Sequence, residues 1–174
     1  MNPPTKEELK LFVAHSNRIE GEPDEPGRPL FDDHLSAAMC AMQVGMGTRV
    51  RMYPVDYHAI LLASRPSKFP GEYRQGHVSV GSRACLSPEA VRTEMPKFHT
   101  LLFAKDAKSE QQIWELHHRF EWIHPFWDGN GRTGRLLLNM LRLRNGLPWY
   151  TVKYEDRFEY YRSIQEWIHR EGKE

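Results

Sequence analysis

The sequence shows no excess of either charge: 24 Lys and Arg stand against 23 Asp and Glu in 174 residues, a formal net charge of +1. That balance excludes the broad basic footprint with which proteins hold nucleic acid or an anionic membrane, so any phosphate binding has to be local. No apolar run approaches the length of a bilayer span, and the opening "MNPPTKEELK" lacks the basic-then-apolar order of a secretory signal. Cysteine is scarce. Cys40 and Cys85 have neither metal-ligand nor redox spacing, which favours free thiols and a reducing compartment. There are no repeats and no low-complexity segments. The expected address is the cytoplasm, and the length is that of one domain without an appended targeting or DNA-binding unit.

What is present reads mainly as helix. Thr5 with Glu8 forms a capping box that opens a first helix, running to Glu20 before Gly21 and Pro23 stop it. The loop "GEPDEPGRP" follows, then a helix started by Asp32 or Asp33 whose Ala37, Ala38 and Ala41 imply close packing, then a third helix ending before Pro66. Between Pro70 and Pro88 the period changes to strand-like alternation, predicting a β-hairpin. Helices resume behind the Ser87 cap and the Ser109–Gln112 capping box, the latter ending at His124. Another is expected from about Arg132 to Asn145. A last one, from about Glu155 to Arg170, carries Phe158, Tyr161, Ile164, Trp167 and Ile168 on one side.

The stretch "HPFWDGNGRTGR", His124 to Arg135, puts two arginines in the first turn of a helix. A helix N-terminus already carries partial positive charge and unpaired N–H groups, so two guanidiniums there imply an anion. Gly129 and Gly131 let successive backbone N–H groups turn to a common point, a phosphate nest that Arg132 and Arg135 can close. Asp128 beside it would repel phosphate unless a divalent cation bridges the two, and Mg²⁺ is the usual bridge. His124, at the mouth of the loop, can take a proton from an attacking hydroxyl. Phe126 is assigned to packing. His117 and His118 diverge by about 100° on a helix, with no carboxylate or Cys to complete a metal site, and read as structural.

These twelve residues resemble the Fic family signature, His-x-Phe-x-[Asp/Glu]-Gly-Asn-Gly-Arg-x-x-Arg, with every fixed position matched. "PGEYRQGHVSV" is similar to the family's flap hairpin and "EDRFEYYRSI" to its later helix. The resemblance implies a mainly α, Fic-type helical core with a small β-hairpin flap, and transfer of AMP from ATP to a Tyr, Ser or Thr hydroxyl of a target protein or of the chain itself. It implies His124 as general base and Asp128 as the Mg²⁺ ligand. Asn130 with the backbone of Gly129 and Gly131 would cradle the phosphates, Arg132 would hold the phosphate chain, and Arg135 the γ-phosphate. Tyr160 and Tyr161 match positions that contact adenosine in some members. The flap edge Gly76, His77, Val78, Ser79 and Val80 matches the strand that pins a target segment by sheet-edge pairing.

The first helix carries a related feature. Leu9, Phe12, Val13 and Ser16 make one apolar stripe, and Glu20 falls in its middle. A carboxylate pointing into packed surface needs a cation, and two arginines without an anion are the candidates. "SNRIEG", Ser16 to Gly21, resembles the family's inhibitory motif [Ser/Thr]-x-x-x-Glu-[Gly/Asn], which implies that Glu20 pairs with Arg135 and blocks productive docking of the γ-phosphate. Residues 1–30 are then an inhibitory helix and loop packed on a core of residues 31–174, one compact unit overall. Three alternatives stay open: removal of AMP from a modified protein by water that Glu20 positions, transfer of a different nucleotide, and a non-enzymatic nucleotide-binding regulatory module. Oligomeric state is not readable.

Overall fold

The computed structural model describes residues 2–171. Among them are seven α-helices, α1 (Lys6–Ile19), α2 (Pro29–Gly45), α3 (Pro54–Leu61), α4 (Pro88–Leu102), α5 (Glu110–Ile123), α6 (Asn130–Arg144) and α7 (Arg157–Arg170), and one antiparallel hairpin of β1 (Ser79–Val80) and β2 (Arg83–Ala84). The expected mainly α class with a small hairpin holds.

The architecture turns on α6. It buries side chains all round, Leu136, Leu137, Leu138, Met140 and Leu141 among them. A helix without a polar face needs neighbours on every side, and α1, α2, α3 and α5 supply them. Small residues let α2 come close: Ala37, Ala38 and Ala41 are fully buried, and a Cβ on Gly45 would stand 2.8 Å from the Met140 carbonyl oxygen. On the far side α5 packs between α6, α4 and α7. α1 lies on α2 with Leu9, Phe12, Val13 and Ser16 inward, and His34 Nδ1 meets Asn17 Oδ1 at 2.7 Å across that contact.

The caps follow the sequence. Thr5 and Glu8 form their reciprocal box, as do Ser109 and Gln112, and Ser87 caps α4 with Pro88 behind it. Four expectations need correction. α2 begins at Pro29, ahead of Asp32 and Asp33, because proline's fixed φ suits the first helical position and Gly27, at φ +82°, turns the chain into it. The division after residue 30 thus falls in the first turn of α2. α6 begins at Asn130, two residues early, which leaves Arg132 in the first turn and moves Arg135 to the second. The hairpin is shorter than expected: Gly76, His77 and Val78 precede β1, since Gly76 is pressed against Trp127, where a Cβ would stand 2.4 Å from the indole. Finally, Tyr154–Asp156 form a 3₁₀ turn before α7, and the buried face of α7 runs through Tyr160, Trp167 and Ile168, leaving Phe158 65% exposed. The face is set by Tyr160, whose hydroxyl is 2.9 Å from His117 Nε2 on α5.

Candidate active site

The loop between α5 and α6 is built by its own side chains. α5 ends on His124 in the left-handed region, φ 50° and ψ 60°, with its N–H donating to the Phe120 carbonyl. Asn130 then staples the loop: Phe126 N–H donates to its Oδ1 and its Nδ2 donates to the Phe126 carbonyl, both at 2.9 Å. Its side chain is therefore committed to the backbone. What it offers to the expected phosphate cradle is its backbone N–H. With those of Gly131 and Arg132 this lies ahead of the first helical bond, Thr133 N–H to the Gly129 carbonyl, and Gly129 caps the helix at φ +71°. Phe126 is fully buried, as expected.

Two further residues hold this loop, and neither stood out in the sequence. His58 stacks flat on Phe126, ring centroids 3.8 Å apart. Its Nδ1 accepts from Gly71 N–H, so its Nε2–H donates to the Asp128 carbonyl, 3.1 Å away. Burial, opposed by that bond, pushes its pKa down to about 4, which keeps the ring neutral. Arg74 is buried and has no carboxylate partner among the described residues; its guanidinium donates to the carbonyls of His124, Gly76 and Leu86. One side chain thus ties the hairpin's base to the candidate catalytic histidine. Their contacts with the loop itself span 70 positions for His58 and Asp128 and 50 for Arg74 and His124, so no local pattern marks them.

The site opens on a cavity of about 810 Å³ lined by Glu20, Glu121, His124, Gly131, Arg135 and Tyr160, by the α7 side chains Tyr161, Ile164, Gln165 and Ile168, and by the hairpin segment 79–83. The hairpin edge that faces it is therefore Ser79 to Arg83, and of the expected flap residues only Ser79 and Val80 line the cavity. Burial drives the His124 pKa down to about 4, with the Glu121 carbonyl opposing and Arg83 and Arg74 adding to the fall. A neutral imidazole is the form that accepts a proton.

Arg135 is buried and fully engaged. Its Nε donates to Ser16 Oγ at 2.8 Å, and its Nη2 to the Ser16 carbonyl at 3.0 Å and to Glu20 Oε1 at 2.7 Å. Its Nη1 reaches the Tyr160 hydroxyl at 3.4 Å. Glu20 itself is not buried as the stripe implied. It is the C-cap of α1, its side chain 30% exposed at the cavity wall, because Gly21 at φ +70° turns the chain away there. A Cβ on Gly131 would stand 2.4 Å from Glu20 Oε1, so glycine is what lets the carboxylate approach. Tyr161 donates to the Ile19 carbonyl and so clasps the end of α1. Desolvation opposes the charge on Arg135, but Tyr160, Glu20 and Glu121 outweigh it and raise its pKa.

Arg132 differs. It is fully buried, donates from Nη2 to Asp128 Oδ1 at 3.0 Å, and leaves Nε and Nη1 without partners among the described residues. Two orphaned charged donors at a helix N-terminus describe an anion seat. Asp128 is half-buried and stays ionised: burial raises its pKa, but Arg132, the Gly129 N–H and Lys68 outweigh it. Lys68 Nζ stands 3.4 Å from its other oxygen, Oδ2. No group of three or more His, Cys, Asp or Glu placed to hold a metal occurs among the described residues. A single ionised carboxylate already facing an ammonium beside an anion seat fits an Mg²⁺ that is delivered on phosphates and takes one or two protein ligands.

Glu121 is the remaining surprise. It sits on α5 three residues before His124, buried, with Oε1 unpartnered and pressed against α6 where Gly134 leaves room. Burial raises its pKa to about 8, with Arg135 opposing and Glu20 reinforcing. His117 and His118 are structural, as expected: both are held neutral, chiefly by burial, and contact Tyr160 and Ser163.

Residues 55–141 match the Fic/DOC family. Over 118 residues the chain is 32% identical to the protein adenylyltransferase Fic of Nematostella vectensis, covering 66% of this chain and 28% of that protein. Over 113 residues it is 33% identical to the protein adenylyltransferase fic-1 of Caenorhabditis elegans, covering 63% of this chain and 22% of that protein. The chain thus spans less than a third of the length of these relatives. A Fic domain containing signaling protein from Bacteroides thetaiotaomicron has the same fold, with a TM-score of 0.73 at 22% identity over 91% of this chain and 71% of that one. Fic-1 from C. elegans gives 0.70 at 24%, over 90% and 54%. No helix among the described residues is long and apolar enough to cross a membrane.

Proposed function

This chain belongs to the Fic/DOC family, and from that premise we propose that it is an autoinhibited protein adenylyltransferase that moves AMP from ATP to a protein hydroxyl. The observation that carries the reading is the 2.7 Å contact between Glu20 and Arg135 in the cavity that also contains His124. A carboxylate resting on a buried arginine beside a neutral general base has the charge and position of a phosphate oxygen. It leaves no seat for the phosphate that Arg135 binds in the productive pose.

In the released state Arg132, Arg135 and the N–H groups of residues 130–132 hold the triphosphate. Tyr161, Ile164 and Ile168 supply an apolar wall for the nucleoside, and the Ser79–Arg83 edge holds an extended target segment. His124 Nε2 takes the proton of the target's Tyr, Ser or Thr hydroxyl. The hydroxyl oxygen then bonds to the α-phosphorus as the α–β bridging bond breaks in line, and pyrophosphate leaves. Asp128 is the ligand for Mg²⁺, whose charge neutralises the phosphate chain. Residues 1–30 act as the inhibitory segment. The compartment we infer is the cytoplasm, and the partners are ATP and a protein target.

Intact-mass spectrometry after incubation with Mg-ATP, alone and with a cell lysate, tests this. An AMP-sized addition confined to Glu20→Gly, or much larger there than in wild type, is expected; a folded Glu20→Gly protein with wild-type behaviour refutes the inhibitory part. In the Glu20→Gly background, His124→Ala abolishes transfer while calorimetry still registers ATP. A second reading has its own observation: Glu20 is partly exposed in the cavity of His124, so it can orient water. Loss of AMP from a pre-modified target with Glu20 intact, and not with Glu20→Gly, selects that reading.

A further inference from the structure

The segment after α1 delivers a second acid to the same arginines. Glu22 accepts Arg65 Nη1 on Oε1 and Arg65 Nη2 on Oε2, both at 2.6 Å. Its Oε1 also lies 3.7 Å from Arg132 Nη2. The Glu22 side chain is 14% exposed and that of Arg132 1%. The loop is pinned on both sides of the contact: Glu22 N–H donates to the Asn17 carbonyl at 3.0 Å, and Asn17 Nδ2 donates to the Pro23 carbonyl at 2.7 Å. Arg65 comes from the turn after α3, outside the signature, and its fork-on-fork pairing is the strongest geometry a guanidinium and a carboxylate can adopt. Arg132 meanwhile keeps Nε and Nη1 unpartnered. Its shortage of anions is filled only in part, by Asp128 at 3.0 Å and Glu22 at 3.7 Å.

We propose that Glu22 is a second inhibitory carboxylate, held by Arg65 beside Arg132, so that the segment after α1 covers each signature arginine with one acid. Glu20 takes Arg135 and Glu22 takes Arg132. The proposal rests on the reading of this cavity as a nucleoside triphosphate site. It follows that removing Glu20 leaves half of the block in place, because Glu22 still opposes a phosphate at Arg132 and is still anchored by Arg65.

The test compares Glu22→Gln, Arg65→Ala and their combination in the Glu20→Gly background. Three quantities are read: ATP affinity by calorimetry, AMP transfer by intact mass, and melting temperature. Glu22→Gln is expected to tighten ATP binding about tenfold over the Glu20→Gly parent. Arg65→Ala gives a similar gain because Glu22 loses its holder, and the combination gains no more than either change alone. Adenosine, which lacks phosphates, binds all four proteins alike. If the pair only staples the loop to α3, the substitutions lower the melting temperature while ATP affinity stays within twofold of the parent, and the proposal is wrong. Should the ATP gain appear while no variant transfers AMP, Glu22 stands and the adenylyltransferase reading falls. Transfer by Glu20→Gly that is indifferent to Glu22 and Arg65, with ATP affinity equally indifferent, has the opposite meaning.

Discussion

Replacing Glu121 by Gln should make this protein more stable, by an amount that grows as pH rises from about 4.5 to about 8. The native carboxyl titrates at about 8 because it is buried, against 4.5 when exposed. Between those values the folded state holds a proton that the unfolded chain has released. Wild-type stability therefore falls as pH rises from about 4.5 to about 8, by about 1.4 kcal/mol per pH unit from this group. The full loss above pH 8 is on the order of 5 kcal/mol, a large share of the stability of a domain this size. Glutamine has the same shape and no charge to bury, so the two proteins should nearly match at pH 5, diverge up to about pH 8 and hold a constant difference above it. The groups facing Glu121 are Arg135, Glu20, Arg83, Cys85, Tyr160 and the α5 neighbours His117 and His124. They are common to both proteins, and their own titrations largely cancel in the difference. Urea unfolding at pH 5, 6, 7, 8 and 9 measures it. Stability curves that run parallel across that range would show that Glu121 is ionised in the native protein and that the burial argument is wrong.

Ser16→Ala removes the acceptor for Arg135 Nε and leaves a buried charged donor unpartnered. We expect a loss of about 1–3 kcal/mol in urea denaturation, and a change below about 0.5 kcal/mol contradicts the accounting. Arg74→Met keeps the buried stem and deletes the bonds to the carbonyls of His124, Gly76 and Leu86. Three part-buried acceptors then lack their donor, and a loss of about 1–3 kcal/mol follows. Amide exchange should quicken across residues 76–86 more than in α2, and uniform quickening would mean that Arg74 supports the core and not the hairpin.

The signature was legible because its chemistry is contiguous. Helix start, glycines, carboxylate and arginines fall within twelve residues, and each type restricts what the others can be doing. Glu20 was legible through periodicity, since Leu9, Phe12, Val13 and Ser16 fix a face and the capping box fixes the start. Its degree of burial was not, because the stripe carries no record of where Gly21 breaks the helix. The use of the Asn130 amide was hidden for a related reason: in sequence the residue stands in the nest, and only the closed loop shows its amide bonded to Phe126. Glu121 looks like any polar residue in "FEWI", and its burial is made by α6 crossing α5 at Gly134. Glu22 lies in an acidic, proline-rich loop that reads as solvated, and its partner is 43 residues away.

Two buried arginines in the first two turns of a helix are a standing cost to the empty protein, because burial opposes both charges and the helix dipole adds a positive contribution at Arg132. The chain lowers that cost with carboxylates from three places: Asp128 within the loop, Glu22 beyond α1 and Glu20 at its end. In the proposed reaction, only Asp128 of these has a use once phosphates arrive. The other two must yield their positions to the triphosphate, so the contacts that help hold α1 on the core are the same ones that oppose the proposed reaction. In the proposed reading, inhibition is therefore not a separate device added to a finished fold. It follows from folding an anion site without its anion, and release of α1 would free Arg135 from Ser16 and Glu20 and open both guanidiniums to a polyanion.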